Sequence, residues 1–326
     1  MLFPKVSVII PTFNRLALLS RALGSVLNQE YQNIEIIVIN NGGESPKRII
    51  NSLNRENILL LEIEKSSRGY ARNKGIIEST GKYLCFLDDD DFFYTNHIST
   101  HINFLENNKE FKISYSSSFM NVFDNLDIIE KIELKTDKFD YDSLLIKGYI
   151  PILSVVFEKK CLENILEQKH IENKQETKAP LFKTIDYYKN EKPFLFDYNI
   201  LFDEFLESNE DWDFWLKLAK KFEFYPIDKI TSEFFFDKNK NLESYYNTRK
   251  IIYKKYISEK RFFEVEKERA NILFLDNENI KLEGIKYFNN KSYEKAIEKF
   301  VFFIENNPNK IDEIKEYLEN CINFLK

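Results

Sequence analysis

Four short runs near the amino end constrain the fold more tightly than anything else in the chain. Val6 to Ile10, Ile34 to Ile39, Ile58 to Ile63 and Tyr83 to Leu87 have strand length and are rich in aliphatic residues, as strands of a sheet buried on both faces must be. Between them, Leu16, Leu19, Leu23, Val26 and Leu27 recur at helical spacing, and Gly69 followed by Tyr70 to Glu78 reads as a loop entering another helix. This order of strand and helix predicts an α/β class with a parallel sheet and right-handed crossovers, and such sheets bind ligands at the carboxyl ends of their strands. The strand ends are therefore the place to look for chemistry.

Downstream the pattern changes. Phe111 to Phe119, Ile128 to Leu134 and Ile152 to Phe157 predict further strands at the mixed edge of the same sheet, Glu210 to Phe222 a helix, and Phe224 to Ile227 and Ile230 to Phe236 two closing strands. The Lys-, Glu- and Asn-rich stretch 163 to 195 reads as an excursion of loop and short helix. Beyond about 240 the chain reads as wholly helical, and Gly284, Tyr287, Ala296, Phe300 and Pro308 match one tetratricopeptide-like hairpin at about 277–310. The expected organisation is thus a domain over 1–240, with halves at about 1–110 and 111–240, and an all-α region over 241–326. A single hairpin of this kind cannot bury its apolar face alone, so it is expected to stack on neighbouring helices, a second copy or a protein partner.

Bulk properties narrow the partners. A chain of 326 residues with 43% hydrophobic and 15% aromatic residues has enough apolar material for two globular units. Its net charge of -6 provides no basic field for nucleic acid, so any anionic ligand must be held locally. Cys85, Cys161 and Cys321 are odd in number, widely spaced and accompanied by three histidines, which points neither to a disulfide framework nor to a zinc site. The early apolar run ends at Pro11, far short of the roughly 20 residues of a membrane span, and a cytoplasmic setting is expected. The stretch Arg249 to Arg269 interleaves Lys250, Lys254, Lys255 and Lys260 with Tyr253, Tyr256, Phe262 and Phe263, a pattern suited to peripheral contact with an anionic membrane. Glu259, Glu264, Glu266 and Glu268 in the same stretch favour an ordinary charged helix face instead.

The sharpest chemical signal is Asp88-Asp89-Asp90-Asp91, directly after an apolar strand and before Phe92-Phe93. Four adjacent carboxylates at a half-buried strand end repel one another unless a cation offsets their charge. Oxygen-only ligands suit Mg2+ or Mn2+, which bridge carboxylates and substrate phosphates. The competing reading, a solvated acidic turn, fits the run alone but not its position after a buried strand.

With these residues in place the chain resembles an inverting family 2 glycosyltransferase of the glycosyltransferase-A fold, a mainly parallel mixed sheet flanked by helices. The matching pieces, in family order, are Val6 to Arg15, Glu35 to Gly42, Arg68 to Ile76, Gly81-Lys82-Tyr83 with the Asp run, and Glu210 to Trp215. They cover roughly residues 4 to 236. The resemblance implies that Pro11, Thr12, Phe13 and Arg15 line a nucleotide pocket, with Thr12 near base and ribose and Arg15 facing phosphate. It implies that Arg72, with Arg68 as second candidate, forks onto the pyrophosphate of a nucleotide-sugar donor, a task suited to guanidinium. Asp88, Asp89 and Asp90 fall on the donor side, Asp90 approaches the ribose or the metal, and Asp91 ligates Mn2+ or Mg2+. Asp211 matches the catalytic carboxylate, with Glu210 as the alternative base; Ser154 and Trp212 fall on the acceptor side.

One departure stands out. Family members usually carry aspartates after the second strand, where this chain has Asn40 and Asn41. An amide both donates and accepts, so Asn41 suits a uracil, thymine or flipped cytosine edge. The expected activity is transfer of a sugar from a nucleotide-diphosphate sugar, UDP-sugar favoured, to a glycan or lipid-linked acceptor in bacterial surface polysaccharide synthesis. Two other classes compete. A nucleotidyltransferase would show a Gly-rich phosphate loop near the amino end, and none is found. A degenerate domain serving only as an interaction module would not need the intact Asp run and Asp211.

Overall fold

A computed structural model describes residues 3–124, 127–162, 201–237, 248–249, 251–252, 255–256, 281–282, 284–306 and 312–325. The four aliphatic runs form β1 (Val6–Thr12), β2 (Ile34–Asn41), β3 (Ile58–Ile63) and β4 (Tyr83–Phe86), with α1 (Leu16–Leu27), α2 (Lys47–Ser52) and α3 (Arg68–Glu78) between them. All seven residues of β1 are buried. A strand buried on both faces has no use for polar alternation, which is why its sequence is almost continuously apolar.

Among the described residues the sheet has nine strands, in the order β3-β2-β1-β4-β8-β6-β9-β5, with β7 also paired to β6. The remaining strands are β5 (Phe92–Phe93), β6 (Ile113–Asp124), β7 (Asp127–Leu134), β8 (Val155–Glu158) and β9 (Phe224–Asp237), with α4 (His97–Asn107) and α5 (Tyr141–Lys147) among them. β1 runs parallel to β2 and to β4, while β8 is antiparallel to both β4 and β6. The chain winds outward from β1 to β3 and then returns to place β4 on the other side of β1. That reversal opens a crevice between the carboxyl ends of β1 and β4, the position where open α/β sheets bind ligands. Register aligns Thr12 with Asn40 and Ile9 with Phe86, so the ends of three strands and the Asp run meet at one edge.

Two expectations change in detail. The stretch expected as a strand from Ile152 begins as a 3-10 turn, Ile152–Ser154, and becomes extended only at β8. Pro151 has no N–H for a ladder, and its carbonyl accepts from the backbone N–H of Ser154 at 3.0 Å. The two expected closing strands are one. Ser116 faces Ile227 and Ser117 faces Ile230 across the β6–β9 ladder, so Asp228 and Lys229 bulge outward instead of ending the strand. The stretch expected as an excursion, 163 to 195, lies outside the described residues, as do most of 249 to 269.

The chain divides into two compact units, residues 1–253 and 254–326. Thr248 and Arg249 belong to the first: Ser208 Oγ donates to the Thr248 hydroxyl at 3.2 Å, and the Arg249 guanidinium lies 4.8 Å from the Trp212 ring centroid. In the second unit, the helices Tyr293–Asn306 and Lys315–Leu325 enclose Ala296, Phe300, Phe303, Ile314 and Cys321. Tyr287 packs against this small core, and a side chain at Gly284 would meet the Phe300 ring at 2.5 Å. Pro308 is outside the described residues. No described helix is long and apolar enough to cross a membrane.

α3 lies so close to the sheet that a Cβ at Gly75 would come within 2.4 Å of the Ile9 side chain and 3.0 Å of Ile39. Alanine within a helix normally gains up to about 1 kcal/mol over glycine, but here the overlap with a buried isoleucine costs about 1–3 kcal/mol. Gly75→Ala is therefore expected to be destabilising, read as a lower urea midpoint; an unchanged or higher midpoint would show that α3 has room to move off the sheet.

Candidate active site

The crevice between β1 and β4 deepens into a cavity of about 610 Å3. Pro11, Thr12, Phe13, Arg15, Asn41, Arg68, the whole run Asp88 to Asp91, Asp211 and Trp212 line it. Asn40, Arg72, Glu210 and Ser154 do not. A second cavity of about 620 Å3 opens near the amino ends of the strands, around Lys5, Gln29, Glu35 and Arg55. Among the described residues it holds no acidic cluster like that of the first, which is therefore the candidate site.

Each carboxylate of the Asp run meets a different neighbour. Asp88 accepts from Arg72 Nη2 at 2.6 Å. Burial opposes its charge, but Arg72 and Arg68 outweigh that and hold its carboxyl below the ordinary range. Asp89 accepts from the Thr12 hydroxyl at 2.7 Å and from Arg15 at 3.1 Å. Burial nevertheless pushes it up to about 6. Asp90 pairs with Arg15, and its backbone carbonyl accepts from Arg21.

Asp91 is buried, and among the described residues its carboxylate accepts only a backbone N–H, from Phe235 at 3.2 Å. Burial, followed by repulsion from Asp88 and Asp90, pushes Asp91 well above the carboxylate range. Oxygens of Asp88, Asp90 and Asp91 lie within 4.8 Å of one another. A hard divalent cation fits this set, since it takes oxygen ligands and offsets the repulsion among the three carboxylates. The sequence singled out Asp90 and Asp91 for the metal; the geometry adds Asp88.

Across the cavity, the helix Glu210–Ala219 presents Glu210, Asp211 and Asp213 in its first turn, where the helix dipole favours negative charge. The chain enters it through Asn209, at φ 53°, a left-handed conformation that asparagine tolerates better than most residues. Neighbouring Glu210 and Asp211 then diverge. Glu210 is buried and held by Arg72 and by Arg68, whose Nε lies 3.3 Å away. Asp211 lines the cavity, and among the described residues its carboxylate accepts only the Trp212 backbone N–H, at 2.8 Å. Burial and then the Glu210 charge push Asp211 up to about 6, against the opposing pull of Arg72.

The other sequence candidates fall into place unevenly. The Trp212 indole donates to the Leu144 carbonyl at 2.6 Å, and its ring packs over Gly148, which sits at φ 57°. Ser154 is fully buried and donates to the Pro151 carbonyl at 2.7 Å, so its hydroxyl serves the backbone turn. The Asn41 amide donates to the Ser66 carbonyl at 2.9 Å and accepts from the Ser66 N–H at 2.8 Å. Asn40 is buried with its carbonyl oxygen unpartnered among the described residues. Sequence reasoning missed the apolar wall formed by Met120, Leu134, Tyr149, Ile150 and Phe234 to Phe236. Its one visible signal was the run of three phenylalanines at the end of the last strand.

Comparison with known proteins accords with this geometry: residues 7–151 match the family model described as glycosyl transferase family 2. The chain carries a family 2 glycosyltransferase domain. An uncharacterized glycosyltransferase of Rickettsia felis is 28% identical over 317 residues, covering 91% of this chain and 46% of that protein. The GalNAc(5)-diNAcBac-PP-undecaprenol beta-1,3-glucosyltransferase of Campylobacter jejuni is 35% identical over 102 residues, covering 30% of this chain and 33% of that one. The chain thus spans less than half the length of either relative. Among solved structures, residues 1–349 of S. aureus TarS align with a TM-score of 0.54 at 14% identity, covering 95% of this chain and 83% of that one. The architecture of the transferase domain is the glycosyltransferase-A fold, as its sequence implied.

If Asp91 is a metal ligand in this domain, Asp91→Asn should weaken Mn2+ binding by about tenfold or more, since it removes a charged oxygen from the set. Calorimetric titration of Mn2+ in the presence of UDP measures this. An unchanged affinity would exclude Asp91 from the ligand set.

Proposed function

We propose that the protein is an inverting glycosyltransferase that moves a sugar from a nucleotide-diphosphate sugar, UDP-sugar favoured, to a hydroxyl of a glycan or lipid-linked acceptor in bacterial surface polysaccharide synthesis. The observation that carries this reading is one cavity walled by the Asp run and by Asp211, whose carboxylate has no cationic side chain bonded to it among the described residues. The donor class draws further support from TarS, which was solved in complex with UDP-GlcNAc and with UDP. The acceptor class draws on the Campylobacter jejuni relative, whose name specifies an undecaprenol-linked substrate.

The residues divide the work. Thr12, Phe13 and Asn41 line the pocket assigned to the nucleoside, and Arg15 and Arg68 bring positive charge to the diphosphate. Asp88, Asp90 and Asp91 would hold Mn2+ or Mg2+, which supplies Lewis-acid neutralisation of the departing diphosphate. Asp211 takes the proton of the acceptor hydroxyl while that oxygen bonds to the anomeric carbon and the bond to the diphosphate oxygen breaks. Attack from the face opposite the leaving group inverts the centre and requires no protein nucleophile. Glu210 is less available to an acceptor because two guanidinium groups already hold its carboxylate and it does not line the cavity.

With its carboxyl at about 6, Asp211 is ready to accept a proton near neutral pH. The base works only when deprotonated, so turnover should rise with pH through about 6 and level off above it, and fall about tenfold per unit below. Asp211→Asn keeps the shape but cannot take the proton. Turnover should fall about 10²-fold or more with UDP affinity nearly intact. UDP release from UDP-GlcNAc and calorimetry of UDP with Mn2+ read the two quantities. Near-normal turnover in Asp211→Asn together with a dead Glu210→Gln would move the base to Glu210, and normal turnover in both would overturn the mechanism.

A further inference from the structure

α3 carries two arginines one turn apart, and the structure gives them opposite surroundings. The Arg68 side chain is 45% exposed and lines the cavity. The Arg72 side chain is 1% exposed and stands behind the cavity wall. One Arg72 nitrogen donates to Asp88 at 2.6 Å and the other to Glu210, while its Nε has no partner among the described residues. The Phe202 ring packs under its guanidinium at 5.5 Å. A cation so enclosed, with both forks committed to carboxylates from different parts of the chain, has no free face for a ligand.

We infer that Arg72 is a positioning residue that fixes the start of the Glu210–Ala219 helix, and so aims Asp211 into the cavity, while Arg68 is the arginine that meets the donor diphosphate. The inference rests on the reading of Asp211 as base. Its support is the way α3 grips the segment that leads into that helix. Asn73 donates to the Phe202 carbonyl at 3.0 Å and accepts from the Phe202 N–H at 3.0 Å. Arg68 donates to the Glu207 carbonyl at 3.3 Å, and a side chain at Gly69 would meet the Asp203 carbonyl at 3.0 Å.

Arg72 closes this series by pinning Glu210, the residue beside the base, to Asp88 of the acidic run. With Glu210 turned back onto Arg72, the next carboxylate along the helix is left to face the cavity. Lysine cannot replace the span, because a single ammonium is a point charge and does not bond two carboxylates in a planar fork.

The two arginines should therefore fail in different ways. For Arg72→Lys, UDP affinity in Mn2+ should stay within about threefold of wild type, while UDP release from UDP-GlcNAc falls about 30-fold or more. For Arg68→Ala, UDP affinity should weaken about tenfold or more. A merely structural lesion would lower affinity and turnover together. Arg72→Lys with wild-type turnover, or with affinity lost in step with Arg68→Ala, would overturn the assignment.

Should Arg72→Lys melt below the assay temperature, the double variant Arg72→Met with Glu210→Leu removes both buried charges at once, a replacement that proteins often accept. Lost turnover with retained UDP affinity, alongside a dead Asp211→Asn, then supports the assignment, and wild-type turnover in the double variant or in Asp211→Asn overturns it. Wild-type protein that neither binds UDP nor releases it from UDP-GlcNAc would instead refute the UDP-sugar transferase reading, and this assignment with it.

Discussion

Four consecutive carboxylates at the end of a buried strand set the terms for everything around them. Their repulsion is strongest where water is scarcest, so each needs its own remedy. Asp88 has Arg72, Asp89 has Thr12 and Arg15, and Asp90 has Arg15. Asp91, among the described residues, accepts a backbone N–H and no side-chain donor. The arginines come from the turn after β1 and from α3, the two elements that wall the crevice opened by the reversal in strand order. Fold and charge thus solve one problem together: the topology supplies the crevice, and the crevice brings the guanidinium groups within reach.

The same logic separates Glu210 from Asp211. Two adjacent acids in one helical turn would have similar basicity in isolation, but they project in different directions. Glu210 falls on the side of α3 and loses its freedom to two arginines. Asp211 falls on the cavity side, where burial and the neighbouring charge favour the proton. Environment thus gives two like groups different surroundings, and the proposed division of a structural and a chemical role between them rests on that difference.

Much of this was legible in the sequence, for physical reasons that can be named. β1, β2 and β4 announced themselves because strands buried on both faces are apolar throughout, whereas β3 is an edge strand with Leu59 and Glu62 exposed and was legible from its aliphatic run alone. The Asp run and Asp211 were legible because carboxylates beside apolar strands and tryptophans are costly without a purpose. α4 was hidden, although Ile98, Ile102 and Leu105 recur at helical spacing on its buried face, because His97 and His101 share that face and break up the apolar pattern, meeting the hydroxyls of Thr231 at 2.7 Å and Ser114 at 2.8 Å. β9 looked like two strands because Asp228-Lys229 imitates a turn and is a bulge. The enclosure of Arg72 was illegible because its partners lie 16 and 138 residues away along the chain.

That last separation has a consequence for the order in which the molecule assembles. β1 to β4 and their helices come from neighbouring stretches, whereas closing Arg72 onto Glu210 joins segments 138 residues apart. Chain closure over such a span is slow compared with local helix and hairpin formation. The β1 to β4 half can therefore collapse before the Glu210–Ala219 helix docks, and the cavity between them is among the last features to form. The chain's two tryptophans, Trp212 and Trp215, both ride on that helix and are both buried in the finished structure. Their fluorescence during refolding reports the docking of that helix.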